Sequence, residues 1–277
     1  VDGAILTTVT TDSSGAFSTQ IPVLVSYERG LHTIRVSYDG NDQFIGAEAN
    51  ATAYTWSDVS IEIIDVSENN IRGNQSHPIE ITGRIVEIGG TGNTVTNSDI
   101  SLIWAGAVES DAIVTWDNAT GQFKISLIGT SPMQGDLEFT VRMAQDSPRF
   151  FNEAEKVGID AFLMVPASFA ASSVEVGLDS REIIGTITVT ATDTGERIAN
   201  VSMTALLFNQ TSEIFQFGKL SDENGIFEYT FFSLEPQPTF SDTAHWGSFE
   251  IRLNTTSPLI APDDRGDLLN LVVDLSY

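Results

Sequence analysis

The chain has 277 residues, no cysteine, and 38 acidic side chains against 13 lysines and arginines, for a net charge of −25. That balance argues against binding nucleic acid or an anionic membrane, since both need basic patches, and the missing cysteines exclude disulfide stapling. The acid is spread evenly, with −4 over residues 1–56, −10 over 57–165 and −11 over 166–277, so the surface repels itself, draws cations and suits salty surroundings.

The length suits two to three domains. No apolar run reaches membrane-spanning length, so this segment is not expected to insert in a bilayer. No signal peptide opens the sequence, which starts as if in mid-domain and reads as a piece of a longer polypeptide.

In the first stretch, Ala4–Val9, Phe17–Ile21, Leu31–Tyr38 and Ala49–Trp56 alternate apolar and polar residues and read as strands. They are taken as the last four strands of a sandwich occupying residues 1–56. Its first strands would precede Val1 or come from a partner. A short junction, Trp56-Ser57-Asp58, follows.

In residues 57–165, Ile61–Ile63, Ile79–Val86, Ile100–Trp104, Phe123–Leu127 and Leu137–Met143 show the same period of two. Asn152–Lys156 is expected to form a short helical turn at most. Val165-Pro166-Ala167-Ser168 is the second junction. Beyond it, over residues 166–277, Ile183–Ala191, Val201–Phe208, Phe227–Phe232, Phe249–Leu253 and Leu268–Leu275 alternate again, and Thr, Val, Ile and Phe fill them as a pleated surface prefers. Seven or so short strands per complete stretch predict an all-β chain of tandem antiparallel sandwiches. With so little slack between them, they are expected to form an extended array.

A turn recurs in all three stretches: Asp12-Ser13-Ser14-Gly15-Ala16-Phe17, Asp117-Asn118-Ala119-Thr120-Gly121-Gln122-Phe123 and Asp222-Glu223-Asn224-Gly225-Ile226-Phe227. Asp12 to Asp117 and Asp117 to Asp222 are each 105 residues apart, the signature of a repeated domain. The Asp can bond the backbone ahead and the Gly accepts a positive φ, so these aspartates are read as turn formers rather than metal ligands. The Phe two residues past each Gly is expected in a core.

The segment Thr11-Asp12-Ser13-Ser14-Gly15-Ala16-Phe17-Ser18-Thr19, followed by Gly30-Leu31-His32-Thr33-Ile34-Arg35-Val36-Ser37-Tyr38-Asp39-Gly40-Asn41-Asp42-Gln43-Phe44, resembles the Ig-like repeats of bacterial and archaeal surface proteins. Those repeats run T-D-x-x-G-x-F and then G-x-[YH]-T-[IV]-x-[VA]-x-Y-x-G-[ND]. The likeness covers about 45 residues of the first stretch. It loosens in the others, where Met143–Ser147 and Leu253–Ser257 replace the Tyr-Asp-Gly-Asn element. The resemblance implies the Ig-like fold and an extracellular, cell-surface setting: surface layers, stalks, filaments, adhesins or spacer modules. An archaeal envelope fits the acidity and the missing cysteines. Copies of the chain or other envelope proteins would be its partners.

Six asparagines stand in Asn-x-Ser/Thr: Asn50, Asn74, Asn118, Asn200, Asn209 and Asn254. They are candidate glycosylation sites on an extracellular surface. Two oxygen-rich loops, around Asp39 and Asp42 and around Asp263, Asp264 and Asp267, are candidate calcium sites, since calcium takes six to eight oxygens. Solvated acidic turns are the plainer reading. Arg265-Gly266-Asp267 is treated as a coincidental tripeptide.

Catalysis is not expected. The three histidines, His32, His77 and His245, form no metal-ligand spacing, and no Ser/His/Asp set falls on suitable loops. His32 reads as a half-buried strand residue. Trp104 reads as core, while Trp116 and Trp246 could belong to a glycan-binding platform. A structural role is therefore the leading expectation. An adhesin or carbohydrate-binding module, or an accessory region of a secreted hydrolase, is the alternative.

Overall fold

The computed structural model describes residues 7–21, 28–89, 93–177, 182–209, 212–232 and 247–275. Among the described residues the chain is all-β apart from one 3-10 turn, built mostly of antiparallel sheets packed as sandwiches. Among the described residues no helix is long and apolar enough to cross a membrane.

Strands β1 (Gly30–Gly40) and β2 (Ile45–Thr55) pair antiparallel as a two-stranded sheet. Register puts His32, Ile34, Val36 and Tyr38 opposite Ala53, Ala51, Ala49 and Ala47 on one face. The expected strands at 4–9 and 17–21 do not form among the described residues: 7–9 and 17–21 have no regular structure. A strand exists only through a neighbour's backbone groups, and these runs find no ladder. Phe17 is correspondingly 44% exposed rather than in a core.

Ten strands follow: β3 (Val59–Val66), β4 (Asn70–Ile71), β5 (Ile79–Glu87), β6 (Thr94–Val95), β7 (Ile100–Trp104), β8 (Ala107–Val108), β9 (Ile113–Asp117), β10 (Gln122–Leu127), β11 (Gly135–Met143) and β12 (Ala154–Met164). One sheet runs β3-β5-β10-β9 with β6 on β5. The other runs β4-β12-β11-β7-β8. Residues 154–156 are extended, so the helical turn expected at Asn152–Lys156 is absent, and β12 starts there instead.

The last seven strands are β13 (Ala167–Gly177), β14 (Glu182–Ala191), β15 (Ser202–Asn209), β16 (Ser212–Leu220), β17 (Ile226–Phe232), β18 (Gly247–Thr255) and β19 (Gly266–Leu275). They make a sheet ordered β13-β14-β17 and one ordered β16-β15-β18-β19. A 3-10 turn, Pro262–Asp264, precedes β19.

Backbone packing divides the chain into two compact units. One holds Val1–Val66, Glu80–Ser126 and Glu138–Asp160, and the other holds Ser67–Ile79, Leu127–Leu137 and Ala161–Tyr277. In the first, alternation buries Ile81 and Ile85 of β5, Phe123 and Ile125 of β10, and Phe139, Val141 and Met143 of β11. In the second, Ile183, Ile187 and Val189 of β14 share a core with Phe227, Tyr229 and Phe231 of β17, Met203, Ala205 and Leu207 of β15, and Phe249, Ile251 and Leu253 of β18. Each fully buried large side chain contributes about 1.5–3 kcal/mol, which is what holds a chain without disulfides.

Candidate functional site

Three features carry the chain's specific polar chemistry: the repeated Asp turn and the two junctions. The turns come first because they are local. Asp12 Oδ1 accepts from the Ser14 and Ala16 N–H groups at 2.8 and 3.0 Å, and Asp222 Oδ1 accepts from Asn224 and Ile226 N–H at 2.9 and 2.8 Å. Gly15 and Gly225 close both turns by donating to the Asp carbonyl at 3.0 Å. The Asp117 turn is one residue longer. There Oδ1 accepts from Ala119 N–H at 2.9 Å, Oδ2 accepts from the Thr120 hydroxyl at 2.8 Å, and Gly121 donates to the Asp117 carbonyl. These bonds favour the ionised carboxylate. The Ser14 hydroxyl first, then backbone N–H, lowers Asp12; the Thr120 hydroxyl chiefly lowers Asp117; the Ile226 N–H chiefly lowers Asp222. All three carboxylates accept bonds from their own turns, from backbone N–H in each and from the Ser14 and Thr120 hydroxyls in two.

The first junction lies within the first compact unit. Ser57 forms a parallel bridge to Phe151: its N–H donates to the Phe150 carbonyl and its own carbonyl accepts from Asn152 N–H, each at 3.0 Å. Asn152 Nδ2 donates to Asp58 Oδ1 at 2.8 Å. Around this bridge Phe150 stacks on Tyr54 at 5.7 Å and meets Trp56 edge-on at 5.5 Å. Arg29 Nη1 reaches both Glu87 carboxylate oxygens at 2.9 Å, and its guanidinium lies 4.2 Å over the Phe151 ring. Arg149 anchors the same corner through Asp146 at 2.6 Å, Ser98 Oγ at 2.8 Å and the Thr96 carbonyl.

The second junction lies within the second unit and repeats the pattern. Val165 forms a parallel bridge to Ile260: its N–H donates to the Leu259 carbonyl at 2.7 Å and its carbonyl accepts from Ala261 N–H at 2.9 Å. Asp264 Oδ2 then accepts from Ala167 N–H at 2.9 Å. Arg265 donates to the Ile260 and Pro258 carbonyls at 2.7 and 2.9 Å. At each junction the bridge residue's N–H and C=O bond the entering chain to the stretch just before a later strand, β12 or β19. The bridges were not foreseen in the sequence, because a backbone pairing leaves no side-chain signal.

Asp39 near the end of β1 and Asp42 within the β1–β2 turn are exposed, and the turn's backbone is organised by Asn41 Oδ1 accepting from Gln43 and Phe44 N–H, both at 2.8 Å. Asp263 is exposed, Asp264 is committed to Ala167, and the side chain of Asp267 lies outside the described residues. Among the described residues no group of three or more His, Asp or Glu side chains could hold a metal ion. In the tripeptide, Arg265 is turned inward onto carbonyls, which agrees with reading it as coincidence.

Of the sequons, Asn50 on β2, Asn118 in the Asp117 turn and Asn200 are exposed. Asn200 has a left-handed φ of 59°. Asn74 and Asn254 are half-buried, and Asn74 Oδ1 accepts from Ser76 N–H at 2.9 Å. Asn209 ends β15, with its side chain outside the described residues.

His32 is buried, with Nε2 2.7 Å from the Glu28 carbonyl and 2.8 Å from Thr55 Oγ1. His77 is exposed, and His245 and Trp246 lie outside the described residues. Trp104 is half-buried, not a central core residue. Trp116 is half-buried too and packs edge-on against Phe123 at 5.7 Å, so much of its ring is used internally.

No protein-family model matches the chain, and no curated protein matches it. Among solved structures it is similar to a tetra-tandem repeat from the extending region of a large adhesion protein. Identity there is 14%, 96% of this chain and 65% of that one are covered, and the TM-score is 0.47. It is also similar to the Yersinia pseudotuberculosis adhesin InvE, at 16% identity over 80% of this chain and 59% of that one, TM-score 0.36. An I-band fragment of titin matches at 11% identity over 86% and 73%, TM-score 0.45. The chain thus spans less than two thirds of both adhesin structures. Likeness at this level passes no activity from one protein to another.

Proposed function

We propose that this chain is a structural segment of an extracellular cell-surface protein, a spacer of a surface layer, filament or stalk, built from Ig-like repeats. The observation that carries the reading is the doubled junction. Ser57 to Phe151 and Val165 to Ile260 are the same two-bond bridge, its two partners 108 and 109 residues further along the chain. A chain that repeats its joint as well as its domain is organised as an array. Evenly spread acid keeps such an array hydrated and unaggregated in salt. In this reading Asn50, Asn118 and Asn200 are the sequons most open to glycans, and copies of the chain or other envelope proteins are the partners.

The test is electron microscopy and scattering of the purified chain, with mass analysis of material from its natural source. A spacer gives one elongated species in solution and no tight soluble ligand. A globular, ligand-dependent particle overturns the reading. The second reading, an adhesin or carbohydrate-binding segment, draws on the half-buried Trp116 at an edge strand. A glycan array that lights up with the chain and goes dark with Trp116→Ala would establish it instead.

A further inference from the structure

Arg72 lies between β4 and β5, and its side chain is 2% exposed. Its Nε donates to Asp193 Oδ2 at 2.9 Å and its Nη2 to Oδ1 at 3.0 Å, a forked pair across 121 residues of sequence. Asp193 stands in the turn after β14. A β-carbon on Gly73 would sit 3.5 Å from the Asp193 carboxylate, so the backbone itself comes close there. The same stretch is bonded on its other sides: Arg72 N–H donates to the Met164 carbonyl and Gly73 N–H to the Gly129 carbonyl, both at 2.9 Å. A second loop joins it, where Ser131 Oγ donates to Glu196 Oε2 at 2.6 Å. Asn70, 1% exposed, donates from Nδ2 to the Phe162 and Ser67 carbonyls at 3.0 and 2.9 Å. Compactness agrees with these bonds: Ser67–Ile79 and Leu127–Leu137 group with Ala161–Tyr277, which includes the end of β12 that pairs with β4.

We propose that the loops at 67–79 and 127–137 fold as part of the sandwich of β13–β19, and that Arg72 with Asp193 is the fastening that couples them to it. The reason is chemical. A guanidinium with almost no water contact is stable only while its carboxylate is in place, so the two segments hold or let go together. The inference goes beyond the spacer reading and does not depend on it. An elongated particle with an uncoupled 67–79 loop would sink this proposal and leave that reading standing.

The experiment is hydrogen exchange on the full chain, comparing amides of Ile71, Arg72 and Gly73 with those of Val189 and Ile198. In the wild type both sets should exchange together, through one shared opening. In Asp193→Ala the 71–73 set should exchange roughly 100-fold faster or more while β14 holds, because breaking a buried pair leaves an uncompensated charge. If Asp193→Ala does not fold, Arg72→Lys takes its place. It keeps the charge and loses the fork, and should speed the loop by roughly tenfold. Equal protection in wild type and variant, or a wild-type loop that already exchanges roughly 100-fold faster than β14, overturns the proposal.

Discussion

Gly185 on β14 leaves the space that the Tyr229 ring of β17 occupies: a β-carbon at 185 would lie 2.2 Å from both Cζ and Oη of Tyr229. The other sandwich repeats the device with Gly83 on β5, where a β-carbon would lie 2.5 Å from Cζ of Phe123 and 2.7 Å from the Glu62 carbonyl. A strand glycine usually weakens a sheet, so its presence marks a close approach. Gly185→Ala and Gly83→Ala should each cost about 1–3 kcal/mol by overpacking, read as a drop in urea midpoint. Gly218→Ala is the control. Its β-carbon would meet nothing nearer than 3.8 Å, and the change should be neutral or stabilise by about 0.4–1 kcal/mol. Equal losses at all three positions would refute the packing argument.

Tyr229 is wholly buried, and among the described residues its hydroxyl has no hydrogen-bond partner. Burial without a partner disfavours the phenolate and pushes the group up from 10 to about 12. The unfolded chain releases this proton near 10 and the folded chain near 12, so stability should fall as pH rises between those values, by about 2–3 kcal/mol. Tyr229→Phe removes both the unpaired hydroxyl and the titration. It should be neutral or stabilising by up to about 1 kcal/mol at pH 7, and should flatten the alkaline limb of a thermal-melt profile. A variant markedly weaker at pH 7 would mean the hydroxyl has a partner after all.

Phe123 and Phe227 follow the repeated turn and are both 0% exposed, whereas Phe17 in the same sequence position is 44% exposed. Phe123→Ala and Phe227→Ala should cost about 3–5 kcal/mol each. Phe17→Ala should stay within about 0.5 kcal/mol, as for an ordinary surface change. Denaturant titrations of the three variants separate these outcomes, and a large loss at Phe17 would show that its ring is covered in solution.

The strands and turns were legible because both are written in side chains. β5, β7, β10, β11, β14 and β18 alternate, and the aspartate and glycine of each turn state its geometry. β16 was not foreseen. Eight of its nine residues are exposed, so no face of it needs an apolar stripe. β13 escaped for a related reason: Ala167–Ser173 is mostly small residues with no period to read. The expected strands failed in the opposite sense at 7–9 and 17–21, the parts of them that are described. Their alternation describes a surface that wants burial, but pairing decides whether a strand exists. The candidate site was the least legible part. Arg72 and Asp193 stand 121 residues apart and neither position is unusual locally. The junction bridges use backbone atoms only.

The three turn aspartates tie the fold to acid. Asp12, Asp117 and Asp222 hold protons less readily when folded than when unfolded, because Ser14, Thr120 and the Ile226 N–H respectively donate to the ionised form. Depressed folded values mean that the turns' contribution is present above the ordinary carboxylate range, near pH 4, and is lost as pH falls through the folded values. Melting temperature should therefore decline on acidification below about pH 4, with Asp222→Ala declining less steeply than wild type because its share is already gone. The variant should also be less stable than wild type at pH 7, since the Asn224 and Ile226 N–H groups lose their acceptor. Gly225 sharpens the test. Its φ is +66°, and a β-carbon there would lie 2.8 Å from the Val189 carbonyl and 2.9 Å from Arg197 Cβ. Gly225→Ala should weaken the same turn without touching its titration, leaving the acid limb parallel to wild type. Parallel acid limbs for Asp222→Ala and wild type would instead remove the carboxylate from the account and leave the turn to its glycine alone.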